Sequence, residues 1–128
     1  MRCLIVDDSA HFVDAARGLL EPQGITVVGV ASTCVEALVR FEELQPDVTL
    51  VDIELGTESG FELADRIHRA AGATPSPVIL VSAHAAHDFA DMIATSSAVG
   101  FLPKWALTPG AIRDLVRGSA GLEERDHR

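Results

Sequence analysis

Five short apolar runs, each followed by a helical pattern, constrain the fold of this chain more than any other feature. CLIV (3–6), ITVVGV (25–30), VTLV (48–51), VILV (78–81) and VGFL (99–102) are rich in β-branched residues and nearly continuous in apolar character. Runs of that length and character are strands buried on both faces, as in a parallel sheet. Parallel neighbours cannot be joined by a tight hairpin, so each needs a crossover, and the crossover is usually a helix.

The segments between the runs supply those helices. Phe12, Ala15, Ala16, Leu19 and Leu20 repeat at helical spacing, and Pro22 with Gly24 closes the segment. Thr33-Cys34-Val35-Glu36 has capping-box spacing and opens a second helix carrying Leu38, Phe41 and Leu44, which Pro46 stops. Ser59-Gly60-Phe61-Glu62 opens a third, running to about Ala71, and AGATPSP (71–77) is the loop after it. A fourth helix is expected over 86–97. It ends in Thr95-Ser96-Ser97, which are poor helix formers, and is expected to be mobile. The fifth has Thr108 as N-cap and Pro109 at its first position, then Ile112, Leu115 and Val116.

Five strand–helix alternations predict an α/β fold with an open, doubly wound parallel sheet. The 128 residues are enough for one such domain, here residues 1–118, with 119–128 as a charged tail or linker stub. Cys3 and Cys34 sit among apolar or small residues and are expected to be core thiols. No apolar run approaches the roughly 18–20 residues of a membrane span, and MRCLIV carries no signal-peptide pattern. A cytoplasmic protein is therefore expected. The net charge is −9, from 10 Lys and Arg against 19 Asp and Glu, a field that repels nucleic-acid backbones and suits a bound cation.

Ligands of such sheets gather outside the carboxyl ends of the strands. Asp7 and Asp8 follow the first strand, Asp52 closes the third, Ser82 follows the fourth and Lys104 the fifth. Polar residues commonly mark strand ends, and that reading covers any one of these residues. It does not cover three carboxylates, a hydroxyl and an ammonium on one edge. Converging carboxylates raise one another's pKa unless a cation sits among them, and their oxygens suit Mg²⁺. A lysine and a hydroxyl beside a carboxylate–Mg²⁺ site meet the needs of a phosphoryl group, and an aspartate can itself accept one as nucleophile.

With these residues at this spacing, the chain resembles the receiver domain of two-component response regulators, of the chemotaxis-regulator type, over about residues 2–118. The resemblance implies the flavodoxin-like (βα)5 fold with strand order 2-1-3-4-5, for which a family member is a standard example. It implies that Asp7 and Asp8 bind the metal and that Asp52 is the phosphoacceptor and a metal ligand. It implies that Ser82 and Lys104 contact the phosphoryl group as catalytic residues. Ser82 and Phe101 would be the switch pair, and Gly60 matches the glycine that opens the third helix. Glu54 stands two beyond Asp52, where a backbone carbonyl usually binds the metal, and its side chain is a further candidate ligand. Gly56 stands where many relatives have proline, and Trp105 follows Lys104 where many have proline.

The function so implied is a phospho-accepting switch. A histidine kinase or phosphotransfer protein would donate a phosphoryl group to Asp52 with Mg²⁺ bound. The fourth helix, fifth strand and fifth helix would then present a changed face to a downstream target or output domain, or to a second copy as a phosphorylation-dependent homodimer. No nucleic-acid or membrane partner is expected. Such a chain is not an enzyme beyond catalysing its own phosphorylation and dephosphorylation. The alternatives are a Mg²⁺-dependent phosphohydrolase with an aspartate nucleophile and an atypical receiver that binds partners without phosphorylation. Against the first, DDSA departs from the DxDx[TV] of haloacid-dehalogenase-type enzymes. Against the second stands the intact acid set. His84 and His87 have HxxH spacing but lack further Cys or His nearby to complete a zinc site, so they are read as loop histidines beside the pocket. Trp105 is a candidate partner contact. No output domain follows residue 118, so the chain is expected to be a single-domain regulator or the receiver of a longer protein.

Overall fold

A computed structural model describes the backbone of residues 1–72, 74 and 76–126 and side chains as far as Gly118. Of the expected loop and tail, Ala73, Pro75, His127 and Arg128 lie outside the described residues. Five strands run β1 (Arg2–Val6), β2 (Thr26–Ala31), β3 (Val48–Asp52), β4 (Val78–Ser82) and β5 (Gly100–Pro103). They pair in parallel in the order β2-β1-β3-β4-β5, the expected flavodoxin-like topology. The helices are α1 (Ala10–Leu20), α2 (Cys34–Leu44), α3 (Gly60–Ala71), α4 (Ala90–Thr95) and α5 (Pro109–Asp126).

Alternation along the strands divides the core in two. Leu4, Val6, Val51 and Leu80 point to the side covered by α2 and α3, where Ala37, Phe41, Leu63 and Ile67 meet them. Cys3, Ile5, Leu50 and Ile79 point to the other side, where Val13, Ala16 and Leu20 of α1 and Ile112 of α5 pack. Cys3 and Cys34 are free and buried, as expected of core thiols, and burial pushes the Cys3 thiol up to about 12.

The expected caps form: the side chains of Thr33, Ser59 and Thr108 accept from the backbone N–H of Glu36, Glu62 and Ala111. Ser9, for which no cap was expected, likewise accepts from Phe12 N–H at the start of α1. The capping box of α2 closes one residue earlier than its spacing suggests, because Glu36 Oε1 accepts from Ser32 N–H rather than from Thr33.

Several boundaries differ from expectation. The segment 86–97 is a 3₁₀ turn, Ala86–Phe89, followed by the six residues of α4. Thr95 Oγ1 donates to the carbonyls of Asp91 and Met92 and Ser96 Oγ to that of Ile93, and such side-chain bonds compete with helix continuation. No residue of α4 is fully buried; Phe89 and Ile93 fix the segment by partial packing on the α2–α3 side. The backbone of α5 continues helically past Gly118 to Asp126. A two-stranded antiparallel ladder, Glu54–Leu55 with Glu58–Ser59, was not foreseen. Among the described residues no helix is long and apolar enough to cross a membrane.

Candidate functional site

The carboxyl edge of β1, β3, β4 and β5 builds the site. Asp7 follows β1, donating its backbone N–H to the Ala31 carbonyl at 2.9 Å, while its Oδ1 accepts from Ser9 N–H at 2.8 Å. Its side chain is wholly buried. Asp52 is the last residue of β3 and is 6% exposed, with Oδ1 accepting from Glu54 N–H at 3.0 Å. Asp8 faces solvent. One carboxylate oxygen from each of Asp7, Asp8 and Asp52 lies within 4.8 Å of the others, and no second such acidic, histidine or cysteine cluster is found among the described residues.

Lys104 leaves a short 3₁₀ turn after β5 and brings its ammonium into this cluster. Nζ lies 2.8 Å from Asp7 Oδ2 and 3.2 Å from Asp52 Oδ2, donating a hydrogen bond to the latter. Burial by itself would lower the lysine pKa, but Asp7 and Asp52 outweigh it and hold the ammonium above its ordinary range. Asp52 is pushed upward mainly by burial and further by the charge of Asp7, against the opposing pull of Glu54 N–H and Lys104. One ammonium against three carboxylates leaves the cluster net negative.

The donor set fits a hard divalent cation. Asp7 Oδ2 is buried, with the Lys104 ammonium 2.8 Å away. A buried carboxylate oxygen next to two further carboxylates, with one ammonium against three negative charges, is the kind of donor set that suits Mg²⁺, which takes few protein ligands and keeps several waters. Asp7, Asp8 and Asp52 would hold the ion. The Glu54 carboxylate, a candidate ligand by sequence, is not brought into this group. It lies at the rim, with Oε1 3.5 Å from His84 Nε2, because its strand turns outward into the short ladder. His87 likewise pairs with Asp88 at 3.3 Å, so the two histidines do not converge.

Ser82 ends β4 and is 1% exposed, its Oγ accepting from His84 N–H at 3.0 Å. With Asp8, Asp52, Glu54, His84 and Lys104 it lines a cleft of about 300 Å³. Phe101 lies in β5, half-buried, on the same side as Phe89 and Ile93. Trp105, beside Lys104, is 68% exposed.

Gly60 is required by the site rather than by its own conformation. A Cβ there would stand 2.1 Å from the carbonyl oxygen of Asp52, so the start of α3 rests directly on the phosphoacceptor candidate's backbone. One neighbour escaped the sequence reading altogether. Phe12, assigned by periodicity to the core face of α1, places its ring centroid 4.4 Å from Lys104 Nζ. Ring and ammonium are 92 residues apart in sequence, and no local signal joins them.

Residues 3–117 match the response regulator receiver domain family. The protein-glutamate methylesterase/protein-glutamine glutaminase of Halobacterium salinarum is 32% identical over 115 residues, which cover 90% of this chain and 32% of that protein. The chain thus spans about a third of that relative's length. Among solved structures, the response regulator domain of Thermotoga maritima CheB is similar, with a TM-score of 0.76 and 27% identity, over 91% of this chain and 94% of that one. A CheY-like receiver domain protein from Methanospirillum hungatei has a TM-score of 0.75 and 25% identity, over 98% and 97% of the two chains.

Proposed function

The chain belongs to the response regulator receiver domain family, and on that premise we propose that it is a phospho-accepting switch with Asp52 as the acceptor. A single observation carries the proposal: the buried Asp52 carboxylate shares its Oδ2 with the Lys104 ammonium at 3.2 Å, inside a cluster of three carboxylates within 4.8 Å of one another.

In this reading a phosphohistidine of a kinase or phosphotransfer protein presents its phosphorus to an Asp52 oxygen. The new P–O bond forms as the P–N bond breaks; the imidazole nitrogen keeps the electron pair and takes a proton from solvent. Mg²⁺ held by Asp7, Asp8 and Asp52 supplies, when bound, positive charge against the phosphoryl oxygens. Lys104 already stands at Asp52 and neutralises charge building on the transferred group. Ser82 Oγ accepts from His84 N–H and keeps its own proton free to donate to a phosphoryl oxygen. Its movement would draw on the 83–89 segment, and Phe101, packed on the same side as Phe89, would repack with it.

The output reads from α4, β5 and α5. α4 buries no residue fully, so few contacts resist its displacement, and Trp105 offers an exposed aromatic anchor beside Lys104. The partner would be a downstream protein, an output domain or a second copy; an output domain fits the greater length of the methylesterase relative.

The test is direct. Incubated with acetyl phosphate and Mg²⁺, the wild-type protein should acquire one phosphoryl group on Phos-tag gels, and Asp52→Asn should acquire none. Equal modification of both would end the assignment.

A further inference from the structure

Phe12 projects from the first turn of α1, half-buried, and packs against the α1–α5 side of the core. For packing alone leucine would serve as well. What leucine cannot supply is the negative face of an aromatic ring, and that ring stands 4.4 Å from Lys104 Nζ. The ammonium therefore has three attractive neighbours: Asp7 Oδ2, Asp52 Oδ2 and the Phe12 ring.

We propose that Phe12 is a positioning residue for Lys104, its ring holding the ammonium over Asp52 while the lysine exchanges a carboxylate oxygen for a phosphoryl oxygen. The inference rests on the phospho-accepting reading above and adds to it a residue outside the acid set. Two physical points carry it. A lysine ends in a compact charge on a flexible four-carbon stem, and fixing that stem costs rotamer entropy unless something holds it in place beforehand. Attraction to a ring face has no hydrogen-bond direction, so it leaves the N–H donors free to change acceptor. A third carboxylate in the same place would instead compete with the incoming phosphoryl group for those donors.

Two measurements decide the matter, one of them independent of phosphorylation. In protein with ¹³C-labelled lysine, the Lys104 Cε protons should resonate upfield through the ring current of Phe12. The shift should vanish in Phe12→Leu and return in Phe12→Tyr. With acetyl phosphate at saturating Mg²⁺, Phe12→Leu should slow phosphorylation by about three- to tenfold, the range a partly buried cation–π contact supplies. Phe12→Tyr should restore the rate, and neither change should alter Mg²⁺ affinity. In a Lys104→Met background Phe12→Leu should have no further effect, since the ring would have nothing left to hold. The same loss in that background, or an unshifted Lys104 resonance in the wild type, overturns the proposal. Absence of any phosphorylation in the wild type would remove the phospho-accepting reading itself, and the Lys104 resonance would still decide whether the ring holds the ammonium.

Discussion

Replacing Gly60 by alanine tests whether the start of α3 sets the position of Asp52. The added methyl would stand 2.1 Å from the Asp52 carbonyl oxygen and 2.8 Å from both the Asp52 carbonyl carbon and Ile53 Cα. Contacts below 3.0 Å are essentially never formed by real Cβ atoms, so one backbone must retreat by about 1 Å. All three opposing atoms are backbone and cannot rotate away. Overpacking of this kind costs about 1–3 kcal/mol. The 2.8 Å hydrogen bond from Gly60 N–H to the Ile53 carbonyl would stretch as well, adding about 1 kcal/mol. Alanine's better helix propensity returns at most about 1 kcal/mol, so the steric term wins. The expected net loss is about 1–3 kcal/mol, too little to unfold a domain stable by about 5–15 kcal/mol.

The functional effect should be larger than the stability effect. A displacement of about 1 Å at a reacting group can cost on the order of 10²-fold in rate. Urea unfolding at fixed Mg²⁺ gives the first quantity, and acetyl phosphate labelling of the still-folded variant gives the second. Gly60→Ala with wild-type stability and wild-type labelling would show that α3 does not hold Asp52, and the steric reasoning would be wrong.

The other predictions concern charge and attachment. In Mg²⁺-free buffer the folded state holds the Asp52 proton more tightly than the unfolded chain, so this group makes stability fall as pH rises from its ordinary 3.8 through its raised folded value. That fall should be missing from Asp52→Asn in urea titrations across the acidic range; identical slopes would refute it. Asp8→Asn should weaken Mg²⁺ binding by calorimetry, and unchanged affinity would remove Asp8 from the ligand set. Asp65 Oδ1 accepts from Ser97 Oγ at 2.7 Å and from its N–H at 3.3 Å, tying the segment after α4 to α3. Asp65→Ala should lose about 0.5–1.5 kcal/mol of local stability and speed hydrogen exchange over 90–97 by a few-fold, up to about tenfold. No change there would mean the tie is cosmetic.

The parts of this molecule that could be read from sequence are those whose cause is local or periodic. Continuous β-branched runs imply strands covered on both faces, and the alternation of Cys3 and Ile5 against Leu4 and Val6 provides those two faces. Parallel pairing then forces Asp7, Asp52, Ser82 and Lys104 onto one edge, so the site follows from the topology. What could not be read depends on contacts across the fold. The break between the 3₁₀ turn and α4 occurs at Phe89, whose backbone leaves the helical region (φ −131°, ψ 20°) while its ring packs partway into the core near Phe61. Glu54 was a candidate ligand by its place beside Asp52, but the ladder with Ser59 carries its side chain to the rim and His84. Gly60 was legible only as the glycine that opens the third helix by resemblance, whereas its steric cause is a carbonyl on a different element. Phe12 fits the helical periodicity of α1 perfectly well, and that fit conceals its second contact with Lys104.

The central claim is that Asp52 itself receives the phosphoryl group, and chemical trapping tests it most directly. Borohydride reduces an acyl phosphate to an alcohol, so a phosphorylated aspartate becomes homoserine, which peptide mass spectrometry can locate. After treatment with a phosphohistidine donor or acetyl phosphate, homoserine should appear at position 52 alone. It should require Mg²⁺ and be absent from Asp52→Asn. Homoserine at Asp7 or Asp8, or a stable phosphoryl group that borohydride leaves in place, would contradict the account.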